Sequence, residues 1–348
     1  MRKLCLGLMA ALVAGGVGAQ EQVHRFDYVL SNPGARSVAL GGAFAGLADD
    51  ATAAFSNPAG LVQLLRPEIS GELRLSSKDL GDGSATDPVA ETSGLGFASF
   101  VWPGHGWSAA VYLHRAASFE FEVVNPDGSF GGGTGIDVLS VSTAAAVRVH
   151  ERLSFGLGAS YFLGDLNAED TASRDDSSWG FNLGVLWRPV DPVRLGGFYR
   201  EGPEFKVRVA GDPPSVRWVA TPDVAGLGVA FQPGNGSLTL AVEVDRLIYS
   251  KVTTPYQIPD GNGDDATQLH LGGEYAFLRW HPVTAFRAGV WLEGGRVGTA
   301  DGGGPGTDEE VAHGSLGFGL AWTHFQLDVG LDFADSEGTL SVSAIWSF

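Results

Sequence analysis

Two-residue alternation governs this chain from Arg66 to Phe348. Successive side chains of a strand point to opposite faces. Phe325, Leu327, Val329, Leu331 and Phe333 therefore share one face, against Gln326, Asp328, Gly330 and Asp332. Leu238, Leu240, Val242 and Val244 oppose Thr239, Ala241, Glu243 and Asp245, and Phe286, Ala288, Val290 and Leu292 oppose Arg287, Gly289, Trp291 and Glu293. In the last segment Leu340, Val342, Ala344, Trp346 and Phe348 oppose Thr339, Ser341, Ser343, Ile345 and Ser347. One such strand would suit a water-soluble sandwich equally well. Recurrence carries the argument, because the pattern returns in fourteen segments: 66–77, 93–102, 107–123, 136–149, 152–164, 178–189, 193–209, 221–232, 237–250, 267–277, 283–296, 314–323, 325–333 and 338–348.

The connections are sorted as well. Tight turns fall at Pro103–Gly106, His150–Glu151, Val190–Pro192, Pro233–Gly236, Leu278–Pro282 and His324. Longer polar loops fall at 78–92, 124–135, 165–177, 210–220, 251–266 and 297–313, and the last outer connection, Ala334–Ser336, is short. Short turns on one side and long loops on the other are the asymmetry of a transmembrane barrel. Trp102, Trp107, Trp187, Trp280, Trp322 and Trp346 gather at the short-turn side, and Trp179 and Trp218 at the other. Aromatic side chains favour membrane interfaces, so these predict two girdles. The fold expected is all-β: a 14-stranded antiparallel transmembrane β-barrel.

The N-terminal stretch does not alternate. Arg2 and Lys3, the apolar run Leu4 to Val17 and the small residues Val17-Gly18-Ala19 read as a secretory signal peptide over 1–19. Residues 20–65 are rich in Gly and Ala, with short helical turns expected near 36–47 and 50–56, and 66–348 form the barrel. The small side chains of 20–65 suit either an N-terminal cap or a plug in a confined space. The sole cysteine, Cys5, lies inside the signal, so the exported chain has neither a disulfide framework nor a thiolate metal site.

A net charge of −18 with no basic stripe argues against nucleic acid. No G-x-S-x-G, H-E-x-x-H or P-loop is present, so no enzyme and no cofactor are expected. Acidic residues cluster in the loops, at Asp79, Asp82 and Asp87, Asp175 and Asp176, Asp260, Asp264 and Asp265, and Asp308, Glu309 and Glu310. A solvated loop surface accounts for them. Asp260 to Asp265 begins like a calcium loop but lacks glycine at its sixth position and glutamate at its twelfth, where Asp265 and Leu271 stand. No metal site is assigned.

The polar face of a barrel looks into its lumen. It is expected to carry Glu72, Arg74, His114, Arg148, Asn182, Arg188, Arg194, Arg200, Lys206, Arg208, Glu243, Asp245, Gln268, His270, Glu274, Arg287, Glu293 and Asp328. Two uses are open: ion pairs that hold the wall and the N-terminal segment, or arginines (Arg194, Arg200, Arg287) that meet the carboxylate of an amphipathic ligand.

Ala48-Asp49-Asp50-Ala51-Thr52-Ala53-Ala54-Phe55-Ser56-Asn57-Pro58-Ala59-Gly60-Leu61 resembles the N-terminal hatch motif of the FadL/TodX family of outer-membrane transporters. The likeness continues in Thr221 to Phe231, in Leu271-Gly272-Gly273-Glu274-Tyr275 and in Arg287-Ala288-Gly289-Val290. The resemblance implies a small N-terminal helical hatch inside the lumen, with Asp49, Asp50, Phe55, Asn57, Pro58 and Ala59 as hatch and gating residues. It implies passive uptake of long-chain fatty acids or other hydrophobic compounds, a lumen binding site, and lateral exit through a kinked third strand. Arg115 stands on the otherwise apolar face of that strand, where a charge facing lipid costs about 2–4 kcal/mol. A bulge there would re-aim it, and a place near the outer interface would do as well. The bacterial outer membrane is the expected location, as a monomer in contact with outer-membrane lipid, and Phe348 resembles the signal read by barrel-assembly machinery. The loops are shorter than those of the fatty-acid transporter. A second reading is therefore a barrel scaffold that binds secreted or surface proteins, as PorV does.

Overall fold

The computed structural model describes residues 32–79, 89–124, 130–168, 171–173, 175–209, 215–248, 265–294, 310–335 and 337–348. The signal segment, much of the acidic loop surface and the loop at 260–264 lie outside these residues, as does the side chain of Trp218. Two short helices come first, α1 (Ala35–Ala39) and α2 (Ala53–Ser56), then a 3-10 turn over Pro58–Gln63. The strands are β1 (Glu68–Asp79), β2 (Val89–Pro103), β3 (Trp107–Val124), β4 (Phe130–His150), β5 (Leu153–Ala168), β6 (Thr171–Ser173), β7 (Asp175–Val190), β8 (Val193–Arg200), β9 (Glu204–Val209), β10 (Ser215–Ala220), β11 (Asp223–Phe231), β12 (Leu238–Ile248), β13 (Ala266–Phe277), β14 (Val283–Glu293), β15 (Val311–Ala321), β16 (Phe325–Phe333) and β17 (Glu337–Ser347).

Fourteen of them close into an antiparallel barrel in the order β1-β17-β16-β15-β14-β13-β12-β11-β8-β7-β5-β4-β3-β2. The closing seam pairs Glu68 with Ser347 and runs to Lys78 with Glu337. On β17, Ser341, Ser343 and Ile345 are buried and Trp346 is exposed, so its small face looks inward as the alternation requires. The outward face is a band of exposed Leu, Val and Phe, with Trp102, Trp107, Trp187, Trp280, Trp322 and Trp346 each about half exposed near the short turns. Closure leaves no edge strand in the wall, and neighbouring strands pair around the whole ring, as a lipid environment demands, except over one stretch between β2 and β3.

The segment expected as one strand over 193–209 is two. Gly202-Pro203 and Thr221-Pro222 interrupt both arms of the same hairpin, because proline cannot donate to a ladder. Asp223 accepts from the Gly202 N–H at 2.9 Å, and the Thr221 N–H donates to the Pro203 carbonyl at 3.0 Å. The pairing is in step on both sides of the break: Arg200 faces Val224 below it and Glu204 faces Ala220 above it. The outer arms leave the barrel and join β6 in a separate three-stranded sheet, β10-β9-β6. Residues 215–220, expected as loop, are thus strand.

Residues 32–64 fill the lumen, and Leu65 beyond them is 88% exposed. Ala35, Leu40, Phe44, Leu47, Ala54, Asn57 and Leu61 have essentially no exposed surface. The wall yields space by presenting glycine where the N-terminal backbone touches it. A Cβ on Gly196 would stand 2.0 Å from the Ala45 carbonyl oxygen, one on Gly317 2.2 Å from Ala39, and one on Gly330 2.3 Å from the Ala35 carbonyl oxygen. On the opposite wall, a Cβ on Gly156 would stand 2.3 Å from the Ala59 nitrogen. Beside β1 and β17 a cavity of about 10 Å³ remains, lined by Arg36, Asp50, Glu72 and Asp328 among others. That is room for about one water.

Candidate functional site: the hatch and the interrupted seam

The hatch is fastened by charge at one end. Arg36 on α1 holds Asp49 at 2.5 Å and Glu274 of β13 at 3.0 Å, with Asp50 at 3.8 Å. Glu274 is shared with Arg287 of β14 at 2.6 Å, and Arg287 reaches Asp328 of β16 at 2.7 Å. Arg194 of β8 closes on Asp49 at 3.4 Å and on the Gln63 carbonyl oxygen Oε1 at 3.0 Å. The two neighbouring aspartates differ. Burial acts to raise the Asp49 carboxyl, but Arg36 and then Arg194 outweigh it and hold the group below its ordinary value. Burial dominates at Asp50 and pushes its carboxyl up, with Arg36 and the Thr52 hydroxyl offsetting only part of the effect. Asp50 instead bonds within the turn that precedes α2, accepting from the Thr52 N–H at 2.9 Å and its hydroxyl at 2.5 Å.

Asn57 ties the hatch to itself and to the wall. Its amide nitrogen donates to the Ala45 carbonyl at 2.9 Å and to the Val185 carbonyl of β7 at 3.0 Å, while its oxygen accepts from the Ala59 N–H at 3.2 Å. Pro58 follows with a preset φ for the 3-10 turn. Ala59 accepts from the Ser154 hydroxyl of β5 at 2.9 Å. The wall carboxylate Glu243 of β12 accepts from the N–H groups of both Phe44 and Ala45, each at 2.6 Å. Spacing placed Glu243 in the lumen, but nothing in the sequence showed that its partners are hatch amides.

Phe55 sits at the other end. Its ring is 4.3 Å from that of His114 on β3, and the guanidinium of Arg200 lies 3.7 Å over it. Arg200 is 6% exposed, yet its Nε has no hydrogen-bond partner and its Nη2 reaches only the Asn32 oxygen at 3.5 Å. Among the described residues it has no carboxylate at ion-pair distance. The three lumen arginines therefore differ: Arg194 and Arg287 are engaged with hatch and wall, and Arg200 keeps capacity.

Next to this cluster the wall is interrupted. β2 and β3 pair regularly from Pro103–Ser108 to Phe97–His114, then not again until Glu91–Glu120. Each strand carries one extra residue against its other neighbour, Gly96 against β1 and Ala116 against β4. The two bulges compensate, so the strands bow apart over five residues each and resume in register. Arg115 lies at the bulge. It grips Asp137 of β4 through Nε at 2.9 Å and Nη2 at 2.6 Å, and its Nη1 reaches across the gap to the Ser93 carbonyl at 3.3 Å.

Of the residues singled out from sequence, Asp49, Asn57, Pro58, Ala59, Arg194 and Arg287 lie along the hatch–wall contact. Asp50 lies inside the hatch, Phe55 and Arg200 meet near β3, and Arg115 stands on the seam. The outcome is a transmembrane β-barrel closed by its own N-terminal segment, with a discontinuity between its second and third strands.

No family model matches the chain. Over 269 residues it is 27% identical to a long-chain fatty acid transport protein of Salmonella typhi, covering 64% of this chain and 62% of that one. Over 136 residues it is 29% identical to the protein of that name from Escherichia coli (strain K12), covering 35% of this chain and 30% of the relative. The matched region thus spans less than two thirds of either relative. In fold, it matches a Pseudomonas aeruginosa FadL homologue with a TM-score of 0.70 at 15% identity, over 90% of this chain and 98% of the other. It matches the P. putida toluene transporter TodX with a TM-score of 0.71 at 15% identity, over 92% and 99% of the two chains. The chain is thus similar in sequence to long-chain fatty acid transport proteins and in fold to the FadL homologue and TodX barrels. These relatives are named as transporters, not enzymes.

Proposed function

We propose that this barrel is a passive transporter of the bacterial outer membrane for hydrophobic compounds, long-chain fatty acids among them. The observation that carries this reading is the alignment of three features: the interrupted β2–β3 seam, the ring of Phe55 against His114 at its edge, and the buried guanidinium of Arg200 on that ring. A solute entering from the long-loop side would lodge against Phe55. A carboxylate head, where present, would take the free capacity of Arg200. The apolar remainder would leave sideways into lipid through the bowed seam, with Arg115 marking its edge. Asp49, Asn57, Pro58 and Ala59 form the latch that keeps the hatch seated between passages, and Asp50 bonds within the hatch itself. The names of the relatives, fatty acid and toluene transporters, support the substrate class.

Deleting Gly96 and Ala116 together tests the route. The double deletion removes both bulges and lets β1–β2, β2–β3 and β3–β4 pair without a break. Uptake of a radiolabelled long-chain fatty acid and of a monoaromatic hydrocarbon is measured in cells lacking other such transporters. Uptake at least about tenfold lower in the deletion supports lateral exit; equal uptake excludes it. If the unaltered protein gives no uptake above background, and native mass spectrometry finds a bound protein instead of a lipid, the chain is a scaffold.

A further inference from the structure

The outer rim of the barrel carries a cluster that the hatch and the seam do not use. His313 of β15 faces the lumen with its side chain 2% exposed. Its Nδ1 is 3.0 Å from Asp332 Oδ1 of β16. The other oxygen of Asp332 accepts from the Trp291 indole N–H at 2.9 Å, and the Trp291 ring stacks on the His313 ring at 3.7 Å between centroids. The imidazole is thus fixed in both position and plane. Its Nε2 is buried and makes no hydrogen bond. That nitrogen points between two carboxylates, Glu337 of β17 at 3.4 Å and Glu293 of β14 at 3.9 Å. One donor atom each from Glu293, His313 and Glu337 lies within 4.8 Å of the other two.

We propose that Glu293, His313 and Glu337 form a divalent-cation site, of the borderline class that zinc represents, at the outer rim of the barrel. The donor set is one imidazole nitrogen and two carboxylate oxygens, which suits zinc and its first-row neighbours over calcium or magnesium. Asp332 supplies the usual support of such a site: a carboxylate that accepts from Nδ1–H turns the Nε2 lone pair toward the ion. Without an ion, the buried Nε2 has only carboxylate contacts at 3.4 and 3.9 Å and no hydrogen bond. The ion would join β14, β15 and β17, with β16 bound in through Asp332, and so brace one side of the mouth. The three donors come from separate strands, which is why no sequence spacing announces them.

The test uses the full chain without an affinity tag, purified in detergent and stripped with a chelator. Zinc is titrated by calorimetry, and cobalt by its visible absorption, which reports coordination by a nitrogen–oxygen set. The expected result is one equivalent bound per barrel. H313Q should abolish that equivalent, and D332N should weaken it by about 10–100-fold while leaving all three donors in place. Folding of each variant is checked by its resistance to unfolding in cold detergent. Should H313Q fail to fold, E293Q decides, because it leaves the His313–Asp332 pair intact. No stoichiometric zinc binding, or binding unchanged in H313Q or E293Q, overturns the site and leaves His313 as an imidazolium paired with its carboxylates.

Discussion

Asp49 and Asp50 are adjacent and opposite in behaviour. Asp49 is held below the ordinary carboxylate range by Arg36 and Arg194, so its contribution to hatch seating is present above about pH 4, the unfolded value. It is lost as pH falls through the lower folded value. Asp50 is raised by burial, so its charged form weakens seating as pH rises through that raised value. D49N is therefore expected to loosen the hatch at neutral pH by about 3 kcal/mol, the cost of leaving buried partners unpaired, with the difference shrinking toward pH 3. D50N is expected to be neutral or to tighten it. Hydrogen exchange of the hatch amides between pH 5 and pH 8, with unfolding in acid below that, checks both. At this scale the sequence was partly legible. Alternation put Arg287, Glu274 and Asp328 in the lumen, because a strand's period admits only two faces. It could not say that Arg287 is saturated while Arg200 is not, since that depends on which strands become neighbours around the ring. His313 was hidden differently: it was assigned to the loop over 297–313, and β15 begins at Val311.

At the level of elements, the hatch and the wall fit by omission of side chains. Gly196 on β8 and Gly317 on β15 meet hatch atoms so closely that a Cβ has no place. G196V or G317V is expected to lift the hatch locally at a cost of about 1–3 kcal/mol, the range for overfilled interiors. Faster exchange at Ala45 or Ala39 amides, and greater leakage of small solutes through reconstituted barrels, would register the change. A valine at Gly71, where a Cβ meets nothing within 4 Å, is the control and should do neither. Of the expected barrel segments, 325–333 appears with the ends expected and twelve with shifted ends, because element ends depend on pairing partners that no local pattern names. The fourteenth, over 193–209, was split by Pro203. A single proline in an alternating run was legible as a break, but its match with Pro222 across the hairpin was not.

For the whole molecule, the wall is one closed surface with two local departures, the seam between β2 and β3 and the hairpin that leaves at Gly202 and Pro222. The second is separable. The register below the break is the same as above it, so the barrel rungs do not depend on the outer arms. Replacing 203–221 by a short turn is expected to leave barrel folding unchanged, as read by resistance to unfolding in cold detergent. Uptake then reports whether the outer sheet helps to capture solute. The first departure is built into three consecutive ladders, so it persists in the folded wall without needing a ligand to open it.

The hatch also orders events in time. Ala35 donates its N–H to Ser343, and Ser315 donates its hydroxyl to Ala39, so α1 rests on the last three strands of the chain. The hatch therefore has no complete berth until β15, β16 and β17 are in place. Contacts that span nearly the whole sequence close late and slowly. The β1–β17 seam and the plug must be completed as one event, because a barrel zipped shut beforehand would leave the hatch only its narrow, glycine-lined interior to enter.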